Sequence, residues 1–365
     1  MYRDYMIVDP TDLESDELYL AKIFKGCLGA INNVTKNKYE SVINIDFKIN
    51  INDESNKSKK YTSDINDNRY KIEISQIIYK DIQSFYNHAL NNVNCDYFSF
   101  LTGGNAYNDN DAKIIRSLIL ELSMKFIMFH ELGHIYNGHL RYTTSDNISQ
   151  YINKILRANK DYYMNKALRM NESKDINKVL ETEAVYDINK ILEMNADDFC
   201  ITRIISEYCH PNYINYINNL LKNEIDYFSM ARIAIEAIIV SLTVIGLGYN
   251  NLSDSEKYLP LRIRECIFLN NFIEAFDYYN NKLNDFYPEI SCLKGYFYKL
   301  AVDAENLVNN FLNAVTKTQD YSIKNNTEVL NEEQETEYRR LLAMYNDVAK
   351  DLKSYAYMPE VLTFI

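Results

Sequence analysis

Between residues 112 and 137 the chain carries Ile115, Leu118, Ile119, Leu122, Phe126, Ile127 and Phe129, which make a helix apolar around much of its circumference. Such a helix is stable only when other elements surround it, so the spacing predicts a central, buried helix. Asp109 or Asp111 offers an N-cap for it, and Asn137-Gly138 a C-terminal stop. Three residues near its end, His130, Glu131 and His134, do not belong in an apolar interior. Burying such a cluster uncompensated is costly, so it needs a partner.

Residues 130–134 read HELGH, an instance of H-E-x-x-H. His130 and His134 lie one turn apart on one helix face. Both imidazoles can reach one zinc ion, and Glu131 between them can act as a base on zinc-activated water. The residue types therefore predict a zinc-dependent hydrolase. The chain has only five histidines, and three stand at 130, 134 and 139. Gly133 leaves no side chain to obstruct a neighbouring element. The bland alternative is a solvent-facing turn with two incidental histidines, which the apolar surroundings disfavour.

Catalytic zinc usually takes three protein ligands and leaves a position for water. One completion, H-E-x-x-H-x-x-G-x-x-H, fails here: position 137 is Asn, the glycine is at 138, and position 140 is Leu. His139 comes one residue too early and would point to the opposite face of a continuing helix, so it is read as a non-ligand. The other completion is a glutamate from a second helix. Glu193 and Asp197, four residues apart, share a face of a helix predicted over 178–208, and Ala196 permits close helix approach. Glu193 is then the third ligand, and Asp197 accepts the free N–H of a ligating histidine. Glu181, Glu183 and Asp198 compete for the same role. Taken alone, Glu193, Asp197 and Asp198 would form an ordinary charged helix face.

The remaining pattern is mainly helical. Only 9 Gly and 5 Pro occur in 365 residues, so few positions interrupt helices. Helices are expected over 11–35 and 79–95, over the apolar run 231–249, and from Pro260 towards the C-terminus. Strict alternation marks two half-buried strands: Ile43, Ile45, Phe47, Ile49 and Ile51, then Tyr70, Ile72 and Ile74. An antiparallel pair is expected of them. Residues 141–175 are polar and helix-prone, and 316–336 form a polar break.

A net charge of −12 argues against nucleic acid as the main partner, because phosphate binding needs a concentrated basic surface. None of the six cysteines forms a C-x-x-C pair, which suggests reduced, buried thiols and a cytoplasmic location. The N-terminal residues lack the apolar segment of a signal peptide. The stretch 233–249 contains Glu236 and falls short of the roughly 20 residues a spanning helix needs, so a core helix rather than a membrane contact is expected.

Residues FHELGHIYNGH (129–139) and EMNADDF (193–199) resemble bacterial gluzincin-type metallopeptidases. They are similar to the ImmA/IrrE group and to the phage-exclusion peptidase Lit. The specific likeness covers about 20 residues. It implies an α+β, predominantly helical fold: a zincin-like core with a small antiparallel sheet and a central H-E-x-x-H helix, followed by C-terminal helices. Residues 1–269 would form the peptidase domain, with 141–175 as an insertion, and 270–365 a helical region packed on it. The resemblance implies Zn2+ held by His130, His134 and Glu193, Glu131 as catalytic base, and a protein or peptide substrate in phage defence or mobile-element regulation. Those peptidases carry His-Pro ahead of an Arg late in the core. Here Leu259-Pro260 precedes Arg262 and Arg264, so that histidine is absent.

Candidates to stabilise an oxyanion are Tyr136, Tyr249, Tyr258, His210, Arg262 and Arg264, and the sequence does not choose among them. The alternative to an endopeptidase is a non-catalytic binding or regulatory protein on the same scaffold. The intact Glu131 speaks against it, since a scaffold without activity need not keep the base.

Overall fold

Few helix breakers leave long helices. In the computed structural model, the described residues are 15–38, 43–50, 62–64, 69–92, 109–146, 148–169, 176–250, 259–283, 295–304, 306, 330 and 332–357. Helix α1 (Asp16–Lys38) precedes strands β1 (Asn44–Asn50), β2 (Thr62–Asp64) and β3 (Arg69–Ser75). Helices α2 (Gln76–Asn92) and α3 (Asp109–Tyr136) follow. Three short helices, α4 (His139–Thr143), α5 (Ile148–Ala158) and α6 (Lys160–Arg169), occupy the polar region expected to be an insertion. Then come α7 (Ile176–Tyr208), α8 (Pro211–Asn218), α9 (Tyr227–Asn250), α10 (Leu261–Leu283) and α11 (Glu332–Leu352). A further helical stretch covers 295–304.

The sheet differs from expectation. Its order is β1-β3-β2, and β1 runs parallel to β3, with Ile45 opposite Tyr70, Phe47 opposite Ile72 and Ile49 opposite Ile74. Only the short β2 is antiparallel to β3. Alternation fixes which face of a strand is buried but not its direction. Residues 51–68 separate β1 from β3, long enough for the crossover that parallel pairing needs. The apolar faces are used as read: Tyr70, Ile72 and Ile74 are buried.

Helix α3 is the centre of the molecule and packs against α7, α9, α1 and α2. Polar stitches fix its register. Ser123 Oγ donates to Ala237 O at 3.0 Å, Ser241 Oγ to Ser123 O at 3.1 Å, and Cys200 Sγ lies 3.1 Å from Phe126 O. Each such bond contributes about 0.5–1.5 kcal/mol, whereas each fully buried Ile, Leu or Phe contributes about 1.5–3 kcal/mol. Apolar packing therefore assembles the helices, and the stitches choose the register. The Tyr227–Val244 window of α9 is long and apolar enough to cross a membrane, and 83% of it is buried against other elements.

Asp111 lies in the first turn of α3. Its side chain is buried and accepts from the backbone N–H of Lys222 at 3.1 Å, tying the start of α3 to the connection before α9. At the other end, Gly138 adopts φ 79°, where only glycine is unstrained, and α3 stops at Tyr136. The C-terminal segment crosses this turn. Tyr357 N donates to the terminal carbonyl of Tyr136 at 2.7 Å, and Arg141 Nη1 donates to Tyr355 O at 3.0 Å. A Cβ on Gly138 would lie 2.4 Å from the Tyr355 carbonyl.

The domain boundary drawn at residue 269 falls inside the continuous helix α10. Helix α11 packs on α7, burying Leu341, Met344, Tyr345, Val348 and Leu352. Arg340 grips Asp187 through both guanidinium nitrogens, and Lys190 Nζ donates to Glu337 at 2.6 Å. Helix α7 thus joins two apolar clusters, one around α3 and one around α11.

Candidate metal centre

Helices α3 and α7 pack tightly at two small residues, Gly133 and Ala196. A Cβ added to Gly133 would stand 3.2 Å from Ala196 Cα, Ala196 O and Phe199 Cδ1. With no side chain between the backbones, the His130–His134 face of α3 meets the Glu193–Asp197 face of α7.

His130, His134 and Glu193 bring one ligand atom each within 4.8 Å of one another. The two Nε2 atoms are 3.1 Å apart. Glu193 Oε2 lies 3.2 Å from His130 Nε2, and its Oε1 lies 3.4 Å from His134 Nε2. Tetrahedral zinc with bonds of roughly 2.0–2.1 Å requires ligand atoms about 3.3–3.4 Å apart. Two imidazole nitrogens and a carboxylate at these spacings fit such an ion. The Glu193 side chain is 21% exposed and that of His130 0%, so the glutamate is the least enclosed member of the cluster. Glu131, one residue along from His130, is buried.

Behind His130 stands an ionic support. His130 Nδ1 donates to Asp197 Oδ1 at 2.8 Å. Arg264, from α10, donates Nε to Asp197 Oδ2 at 2.5 Å and Nη2 to Oδ1 at 2.6 Å. The 3.3 Å between Arg264 Nη2 and His130 Nδ1 follows from two donors sharing that oxygen. Burial pushes the Asp197 carboxyl up, but Arg264 and then His130 outweigh it and hold the group below the ordinary aspartate range. A charged acceptor fixes the His130 tautomer and makes Nε2 a better donor to a metal.

His134 is supported differently. Its Nδ1 lies 2.8 Å from His139 Nδ1, and His139 Nε2 lies 2.8 Å from Asn195 Oδ1. Asn195 Nδ2 donates to Tyr345 OH at 2.8 Å, and Asn137 Nδ2 donates to Asn195 Oδ1 at 2.7 Å. The expectation that His139 faces away is corrected: it assumed a continuing helix, and Gly138 turns the chain so that His139 swings back behind His134. Burial, with His134 adding to it, pushes His139 well below the usual histidine range, so it is neutral.

Glu181 is exposed, Glu183 and Asp198 are buried, and none of the three belongs to the cluster. Of the oxyanion candidates, Arg264 pairs with Asp197 behind His130. His210 caps α8 by accepting from Asn212 N at 3.2 Å. Tyr136 stacks on Phe199 with ring centroids 6.3 Å apart. Tyr258 and the side chains of Tyr249 and Arg262 lie outside the described residues. The sequence missed Asn195 and Tyr345. Asn195 sits two residues beyond Glu193, on a side of the helix that the four-residue spacing does not point to, and Tyr345 is one tyrosine among 32.

Comparison with protein-family models, with curated proteins and with solved structures finds no match for this chain.

Proposed function

We propose that this protein is a zinc-dependent endopeptidase that hydrolyses a peptide bond in a specific protein substrate. The observation that carries the reading is the convergence of His130 Nε2, His134 Nε2 and the Glu193 carboxylate within 4.8 Å, with Glu131 in the same helical turn. The likeness of residues 129–139 and 193–199 to gluzincin-type peptidases supports a role in phage defence or mobile-element regulation.

Zinc, when bound, supplies Lewis acidity toward water and toward a carbonyl oxygen. His130, His134 and Glu193 hold the ion, Asp197 orients His130, and His139 stands behind His134. The Glu131 carboxylate takes a proton from the attacking water and delivers it to the leaving amine. Glu131→Gln keeps the shape of the side chain and removes the base. The expected result is zinc content equal to wild type, with cleavage reduced by at least about 10²-fold. Mapping new protein N-termini in cells expressing either form identifies the substrate. Undiminished cleavage by Glu131→Gln would falsify the mechanism.

A further inference from the structure

We propose that His139 is a positioning residue that fixes the tautomer of His134, through a hydrogen-bond chain running from His134 through His139 and Asn195 to Tyr345. The inference rests on the metal-centre reading given above and adds to it a residue outside the H-E-x-x-H pattern.

Proton inventory sets the direction of the chain. Asn137 Nδ2 faces the backbone carbonyl of Asn195 at 3.4 Å, an atom that can only accept, and its shorter contact is to Asn195 Oδ1 at 2.7 Å. Asn195 therefore presents its oxygen on this side and its amide nitrogen to Tyr345, 2.8 Å away. The His139 Nε2 facing that oxygen at 2.8 Å must carry hydrogen. A neutral imidazole with hydrogen on Nε2 has a bare Nδ1, so His139 Nδ1 accepts, and the donor 2.8 Å away is His134 Nδ1. The remaining nitrogen of His134, Nε2, is then bare and faces His130 and Glu193.

The two imidazoles of the cluster are thus oriented by different means. His130 leans on a carboxylate, and His134 on a neutral imidazole backed by an amide and a phenol. A neutral acceptor holds the ring without adding another negative charge to a site that already contains Glu193 and Asp197. The turn at Gly138, and the C-terminal segment lying over it, keep His139 in place.

The test has two arms on the full chain. Selective 15N labelling of histidine, with five residues to assign, reads each tautomer directly in the metal-free protein. Expected are hydrogen on Nδ1 of His134 and on Nε2 of His139; the reverse assignment overturns the proposal whatever any variant does. In the second arm, zinc affinity is measured by competition with a chromogenic chelator, and the visible bands of the cobalt-loaded protein are recorded. His139→Ala should weaken zinc by about 10–100-fold and alter the cobalt bands. His139→Asn, which returns an acceptor at the Nδ1 position, should recover most of the affinity. Wild-type affinity and bands in His139→Ala overturn the positioning role while leaving the metal site standing. Failure of wild type to take up zinc or cobalt overturns the metal-centre reading and this inference with it.

Discussion

Arg264 and Asp197 meet as a two-pronged ion pair, Nε on Oδ2 at 2.5 Å and Nη2 on Oδ1 at 2.6 Å, and both side chains are almost entirely buried. The pair joins α10 to α7 directly behind His130. Desolvating two charges offsets much of their attraction, so its main effect is specificity: Asp197 can occupy only one position, and His130 follows it.

Removing one partner leaves a buried charge unmatched. Arg264→Ala should destabilise the fold by about 3–5 kcal/mol in urea unfolding. It should also shift acid unfolding. The depressed Asp197 value stabilises the folded state above 3.8 and that contribution is lost as pH falls through the lower folded value. Without Arg264, burial dominates and lifts the carboxyl above 3.8, so this group no longer loses stability on acidification and instead costs stability as pH rises. An unchanged acid transition would count against the pair as its origin.

Glu193 supplies the only carboxylate of the cluster. Glu193→Ala should cost more zinc affinity than the roughly 10–100-fold typical of losing an outer partner. Metal analysis after dialysis reads this. A full zinc complement would mean that the ion is held elsewhere.

Gly133 and Gly26 make opposite predictions for an added side chain. At Gly133 any Cβ meets Ala196 and Phe199 at 3.2 Å, whereas at Gly26 in α1 nothing lies within 4 Å. Gly133→Val should force the helices apart, lowering stability by about 1–3 kcal/mol and loosening zinc. Gly26→Ala should gain up to about 1 kcal/mol from helix propensity. Thermal melts of the two variants beside wild type check both signs.

Asp198 gives a pH dependence of the other sign. Burial, then the carboxylates of Glu274 and Asp197, push it from 3.8 up to about 7. The folded state then holds a proton that the unfolded chain releases, so stability falls as pH rises from 3.8 to about 7 and levels off above. Asp198→Asn has no charge to bury. Its urea midpoint should exceed that of wild type at about pH 8, and the gap should shrink toward about pH 4. A constant gap across that range would assign the effect to something other than titration of Asp198.

Much of the candidate site lay in local spacing. The four-residue intervals 130–134 and 193–197 each define a helix face, and the small residues Gly133 and Ala196 marked where two such faces could meet. His139 was misplaced because its direction depends on a φ of 79° at Gly138, a backbone state that periodicity assumes away. The strand pairing failed for a related reason. Alternation in Ile45, Phe47 and Ile49 says which side is buried, but parallel and antiparallel partners bury the same side.

The sequence by itself determined the helical character, the buried course of α3, and the residue types at its polar end, because side-chain period and helix breakers act locally. Only the tertiary structure decided which groups support those residues. Arg264 reaches Asp197 from a helix 67 positions away, and Tyr345 reaches Asn195 across 150. Those contacts depend on how α10 and α11 dock against α7, and docking is set by the summed packing of the whole core rather than by any local pattern.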